Sequence, residues 1–281
     1  MYSVSLLILS CFFFAVLAAL IKFLSQHIHP FEQAFFRNFL SVLIIIPFIL
    51  KYKTKINKKE NIKLLILRGV FGGLTMILLF WSYSLIPLSQ AMAISFTTPL
   101  FMYVGSIIFF KEKTLKLNTA AIILGFILTI ILIRPDLEIS FGVLIALIAS
   151  LTHAIAGLMV KQISKTETVT LLMFSMVILM TPISFLPSLY VWATPDSLEI
   201  IILLILIAGI ATLGNFLWTK ALSKDALTNL MPFEFSKLLF ATIFGILFFN
   251  EKLDLITISC GIGLLYLNHY LAKSIKKNEK T

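Results

Sequence analysis

Residues Met231 to Leu253 read MPFEFSKLLFATIFGILFFNEKL. The run is long and apolar enough to cross a bilayer as a helix, yet it carries Glu234 and Lys237 in its first half. A spanning helix needs about twenty mainly apolar residues, and a charge near the bilayer centre costs about 3 kcal/mol or more. Two such charges in one span need a reason. The end of the stretch points to an architecture: Phe248-Phe249-Asn250-Glu251-Lys252 repeats Phe109-Phe110-Lys111-Glu112-Lys113, and at the same offset Lys161 and Ser164 match Lys22 and Ser25.

The rest of the chain agrees with a membrane solvent. Its 281 residues are 59% hydrophobic with a mean hydropathy of +1.03, more apolar surface than one water-soluble domain can bury. The runs are continuous rather than alternating, which excludes a β-barrel. Apolar runs predict an all-α membrane protein with ten transmembrane helices at about 3–24, 31–50, 62–85, 88–110, 117–133, 139–161, 168–190, 198–222, 226–249 and 254–272. Turn signals such as His29-Pro30, Ile86-Pro87 and Arg134-Pro135-Asp136 separate them, because the residue before proline is pushed out of helical geometry. The first span lacks a basic n-region, is too long for a signal-peptide core and has a counterpart later in the chain, so it is expected to be retained. Cys11 and Cys260 lie within spans and predict no disulfide framework.

The formal net charge is +10, and the placement of the positive residues explains it. Lys51, Lys53, Lys55, Lys58, Lys59 and Lys63 follow span two; Lys111, Lys113 and Lys116 follow span four. Lys161 and Lys165 follow span six, Lys220 and Lys224 span eight, and Lys273, Lys276, Lys277 and Lys280 span ten. All these loops fall on one side, whereas the opposite loops hold only Lys22, Arg134 and Lys252 near their edges. The positive-inside rule then places both termini in the cytoplasm of a multi-pass protein of the bacterial inner (plasma) membrane. The basicity sets topology and suits contact with the lipid bilayer; it implies no nucleic acid partner.

The repeats divide the chain into two five-helix halves, 1–135 and 136–273, followed by a cytoplasmic tail, 274–281. Five is odd, so the second half enters from the opposite face, and the halves are two inverted five-helix repeats about an axis in the membrane plane. Many alternating-access carriers have this arrangement and bind substrate between the repeats. Four phrases add a family resemblance: Phe35-Phe36-Arg37-Asn38 in span two, Leu67-Arg68-Gly69 in span three, Phe96-Thr97-Thr98-Pro99-Leu100-Phe101 in span four, and Pro232-Phe233-Glu234-Phe235-Ser236-Lys237-Leu238-Leu239-Phe240 in span nine. With the helix count and order, they resemble the EamA branch of the drug/metabolite transporter superfamily across nearly the whole chain. The resemblance implies a ten-helix carrier of small metabolites, in a family whose members export amino acids or metabolites or import S-adenosylmethionine or riboflavin. Around His29-Pro30-Phe31-Glu32 the chain looks like the S-adenosylmethionine importers of intracellular bacteria. In span nine they carry a cation and then an acid, whereas this chain carries Glu234 and then Lys237.

Depth selects the candidate substrate-binding residues. With span nine entering from the cytoplasm near Ala226, a rise of about 1.5 Å per residue puts Glu234 about 10–12 Å deep and Lys237 about 15 Å deep. Three positions apart, they share a helical face and can shield each other, either lining a cavity or forming a structural pair. Their repeat counterparts, Ser95 and Thr98, set hydroxyls opposite the charges, which suits a ligand with both charges or with a cation beside polar groups. Arg37 belongs to the family motif and either faces the substrate or is an interfacial arginine that snorkels or pairs with Glu32. Arg68 either partners Glu234 or meets lipid phosphate. His153 lies near the depth of Glu234 as a proton relay or a core histidine, and Asn215 as a cavity residue or interhelical glue. Trp81, Trp192 and Trp218 fall near span ends, where aromatic belts form, and Gly69, Gly72 and Gly73 permit close helix packing or a bend.

No zinc, nucleophile-elbow or phosphate-loop motif is present, so no cofactor, metal or ATP hydrolysis is expected. The chain is not expected to be an enzyme. The leading expectation is a secondary transporter moving a small polar metabolite, such as an amino acid or an S-adenosylmethionine-like compound, by alternating access. The alternative is a membrane-embedded enzyme or lipid-handling protein, which would gather acid, base or metal groups at one interface. The partners expected are a small-molecule substrate and the bilayer, and a homodimer is compatible with this reading.

Overall fold

The structure, a computed structural model, describes residues 1–52, 56, 59–86, 94–133, 140–249 and 255–278. The turns expected at Pro87 and at Arg134-Pro135-Asp136, the repeat phrase Asn250-Glu251-Lys252, and Lys53, Lys55, Lys58 and Lys280 lie outside these residues.

Among the described residues every long element is a helix. In chain order they are α1 (Tyr2–Leu24), α2 (Pro30–Tyr52), α3 (Asn61–Leu85), α4 (Thr97–Phe110), α5 (Lys116–Ile133), α6 (Phe141–Ile163), α7 (Val169–Ser188) and α8 (Leu198–Lys224). A short α9 (Leu227–Leu230), a 3-10 turn (Met231–Phe235), α10 (Ser236–Phe249) and α11 (Leu255–Asn278) complete the chain. Among the described residues seven segments are long and apolar enough to cross a membrane, the last being Leu227–Phe248, and Thr97–Phe110 and Lys116–Ile131 are shorter apolar helices. The final helix runs on to Asn278, into the segment read as a tail.

Local chemistry accounts for several helix starts. Ser140, Thr168 and Ser197 each accept, through the side-chain oxygen, from the backbone N–H three residues on, at 3.4, 3.3 and 3.3 Å. These N-caps satisfy donors that a helix start otherwise leaves open. Ser25 and Ser164 close α1 and α6 in the same way, each donating its hydroxyl to the carbonyl of the lysine three residues back, at 2.7 and 3.0 Å.

Packing pairs α1 with α8, α3 with α6, α2 with α7, α1 with α10, α4 with α6, and α5 with α11. The α3–α7 contact is close because of glycine. A Cβ on Gly69 would lie 2.5 Å from Leu179, and one on Gly73 2.8 Å from Ile183, so larger side chains would force these helices apart. Leu43, Leu50, Ile108, Leu186 and Ile262 are among many large apolar side chains left exposed, as a lipid-facing surface requires.

Contacts between loops sort them into two ends. At one end the Asn61 amide donates to Thr166 and Glu167, both at 2.8 Å. Lys161 donates to the carbonyls of Leu222 and Asp225, and Glu112 accepts from the Thr228 N–H at 2.9 Å. Lys220 and Lys224 lie over the Tyr2 ring at the same end. At the other end the Glu32 carboxylate accepts from the Ala193 N–H at 3.0 Å.

One expectation needs correction. Span nine is not an unbroken α-helix, because its first part winds as a 3-10 turn from Met231 to Phe235. Pro232 helps explain the break: it has no N–H to donate and occupies the first turn of the new segment.

Candidate functional site

Glu234 sits inside this turn, 7% exposed, in a membrane-crossing segment. Its Oε1 accepts from the indole Nε1–H of Trp218 on α8 at 2.6 Å, and hydrogen bonds to a charged group are worth about 1.5–3 kcal/mol. Cys11 of α1 donates its thiol to the Glu234 backbone carbonyl at 3.8 Å. The His153 ring of α6 lies 5.9 Å from the Trp218 ring, planes inclined by 30°. His153 lies on the outer side of α6, between the buried Thr152 and Ala154.

Lys237 begins the next helix and turns elsewhere. Its ammonium lies 5.1 Å from the centre of the Phe96 ring, a cation–π contact worth about 2 kcal/mol where water is excluded. Phe96 in turn stacks on Phe235, centroids 6.1 Å apart. The two charges are therefore not a mutual ion pair: the acid is held by an indole donor and the cation by an aromatic face.

Of the opposing hydroxyls, Thr98 is buried and donates to the Ser150 carbonyl at 3.3 Å, and Ser95 is half-buried. The Thr98 hydroxyl is thus turned to α6 and not to Glu234 or Lys237. What this segment brings to the site is Phe96, which sequence reasoning missed. Trp218 was missed as well, placed in an interfacial belt but in fact 7% exposed. A signal for it existed, because a buried indole N–H needs an acceptor. Trp81 and Trp192, 43% and 42% exposed, are accessible.

A second polar group forms between α2, α7 and α8. Arg37, Asn38, Ser41, Thr212 and Asn215 line a narrow cleft there. The Arg37 Nη2 donates to Asn38 Oδ1 at 3.0 Å and contacts Met76 Sδ at 3.1 Å. Arg37 does not pair with Glu32, whose Oε2 accepts from the Ala193 N–H and whose Oε1 has no partner among the described residues. Asn215 donates to the carbonyl of Ala211 on its own helix at 2.8 Å, and so faces the cleft rather than bonding a neighbouring helix. Asn38 does the bridging, donating to Ser184 Oγ at 3.1 Å and the Met180 carbonyl at 3.4 Å on α7. Arg68 meets neither Glu234 nor lipid phosphate: it is 2% exposed and donates to the Leu172 carbonyl, with Met176 Sδ at 3.6 Å.

Among the described residues no group of three or more His, Cys, Asp or Glu could hold a metal ion. The site gathers polar and aromatic groups around buried charges, an arrangement that can bind a polar ligand.

Comparison with known proteins gives the family. The EamA-like transporter family matches residues 1–134 and again residues 140–271. The S-adenosylmethionine uptake transporter of Rickettsia bellii (strain RML369-C) is 28% identical over 261 residues, covering 91% of this chain and 88% of that protein. The pseudopaline exporter CntI of Pseudomonas aeruginosa (strain UCBPP-PA14) is 24% identical over 261 residues, covering 92% of each. A crystal structure at 13% identity superposes with a TM-score of 0.82 over 99% of both chains, which shows a shared fold. These relatives point to transport rather than catalysis, and the chain belongs to the EamA-like transporter family of multi-pass membrane proteins.

Proposed function

We propose that the protein is a secondary transporter that moves a small polar metabolite across the bacterial inner membrane by alternating access, with both termini cytoplasmic. The observation that carries this reading is the Glu234–Trp218 bond inside a broken span. Transporters build substrate sites from discontinuous helices near the midplane, and a charged residue held there marks a functional site by default. Glu234, Lys237 and His153 form the site with Trp218 and Phe96, while Ser95 and Thr98 belong to the segment that closes it. Arg37 and Asn215 contribute the adjoining cleft.

Ten helices in two inverted repeats supply the moving parts. Supporting this, α1 and α6 each span 23 residues and start and stop at the repeat offset, and α4 and α10, each of 14 residues, do the same. The packing is also reciprocal: exchanging the halves turns the α1–α8 contact into α6–α3, and α1–α10 into α6–α4. Relatives named for S-adenosylmethionine uptake and pseudopaline export support a substrate in the class of amino acids and S-adenosylmethionine-like compounds.

The test is flux into and out of proteoliposomes, with labelled amino acids, nucleosides and S-adenosylmethionine. Saturable movement of at least one compound is expected. A protein that is folded in the vesicles and moves none of them would sink the reading.

A further inference from the structure

The guanidinium of Arg37 is the feature that the contacts within the protein leave unexplained. It has five N–H donors in a planar fork, and both of its polar contacts, to Asn38 Oδ1 and Met76 Sδ, use Nη2. Its Nε and Nη1 have no partner among the described residues, and no carboxylate lines the cleft it occupies. A cation held among helices without a counter-charge is costly. The open Nε–H and Nη1–H lie on different edges, and the partner that matches such an uncompensated cation is an oxyanion accepting a charge-assisted N–H bond. One arginine, with no lysine or second arginine lining the cleft, suits a carboxylate better than a phosphate dianion.

The cleft and the Glu234 site share a wall. Thr212 and Asn215 of α8 line the first, and Trp218 of the same helix holds Glu234. Asn215 and Trp218 are three positions apart, so they sit on neighbouring positions of one face. At about 1.5 Å of rise per residue, Trp218 lies about 4.5 Å from Asn215 and about 9 Å from Thr212 along the axis. The Arg37 cleft and the indole that holds Glu234 thus meet the same helix about one to two turns apart.

We propose that the Arg37 cleft is a carboxylate subsite, and that with Glu234 it selects a zwitterion whose carboxylate and cationic group are spaced by roughly that distance. The Arg37 fork receives the carboxylate, the Asn215 and Thr212 side chains border it, and Glu234 receives the cationic end. This rests on the transporter reading only for the claim that the bound zwitterion is carried.

The test measures binding without needing to know the natural substrate. Purified protein in lipid nanodiscs is titrated with glycine, 4-aminobutyrate and 6-aminohexanoate, with butyrate and butylamine as single-charge controls, and thermal unfolding is followed. The longer zwitterions should bind more tightly than glycine and than either control. Arg37→Gln should weaken them by about tenfold to a hundredfold, the loss expected for a charge-assisted hydrogen bond, and Arg37→Lys should fall between. Unchanged affinity in Arg37→Gln, butylamine binding as well as 4-aminobutyrate, or no binding by any carboxylate probe would each overturn the subsite. Binding of the zwitterions with no flux of any labelled metabolite would support the subsite and sink the transporter reading. Flux that persists in Arg37→Gln without carboxylate binding would do the reverse.

Discussion

Phe96 and Phe235 stack on each other with ring centroids 6.1 Å apart and planes inclined by 22°, and they stand at the same sequence offset that relates Lys22 to Lys161. Each is the residue just before a 14-residue helix, α4 or α10. Residues related by a twofold axis touch each other only where the axis passes between them, so this stack marks where the axis of the proposed repeats would run. It also anchors Lys237 through the Phe96 face.

The Phe235 ring is held by close packing, and glycine substitutions test this. A Cβ on Gly125 would lie 2.5 Å from the Phe235 ring, whereas nothing lies within 4 Å of one on Gly209. Gly125→Ala should destabilise the protein by about 1–3 kcal/mol through overpacking. Gly209→Ala should be neutral or gain up to about 1 kcal/mol from helix propensity. Thermal unfolding in detergent compares them, and equal melting temperatures would contradict the packing described.

The Glu234 site makes a sharper demand. Glu234→Gln should cut transport per folded molecule by about tenfold or more, and Trp218→Phe, which removes the indole donor, by a smaller factor. The Glu234→Gln/Lys237→Met double variant should fold and remain inactive. Recovery of full transport in the double variant would show that the two charges serve structure alone.

Lys161 ties the end of α6 to the end of α8 through the carbonyls of Leu222 and Asp225. Lys161→Met keeps the apolar stem and removes the donors, so stability should fall by about 1–3 kcal/mol. Denaturant or thermal unfolding of the purified variant gives the answer, and an unchanged midpoint would mean the contact contributes nothing.

The proposed orientation makes its own demand. Single cysteines at Lys113 and Lys277, in a background with Cys11 and Cys260 replaced, should react with an impermeant reagent only from the cytoplasmic side, and one at Asp196 only from outside. Labelling of Lys113 and Lys277 from opposite faces would defeat the topology.

The sequence by itself determined the solvent, the helical class and the family, because each is written locally: in apolar runs and in phrases such as FFRN and PFEFSKLLF. It also marked Glu234 and Lys237, since a charge stands out in any apolar run. Only the tertiary structure decided what those charges touch. A helix bathed in lipid on one side and packed on the other is apolar all round, so hydropathy does not fix its rotation or its neighbour. Trp218 reads as a belt residue until α8 is seen to turn it onto Glu234, and Arg37 as a snorkelling cation until α2, α7 and α8 close around it. The break at Met231–Phe235 belongs to the same class, as do the separate partners of the two charges, Trp218 on α8 and Phe96 just before α4.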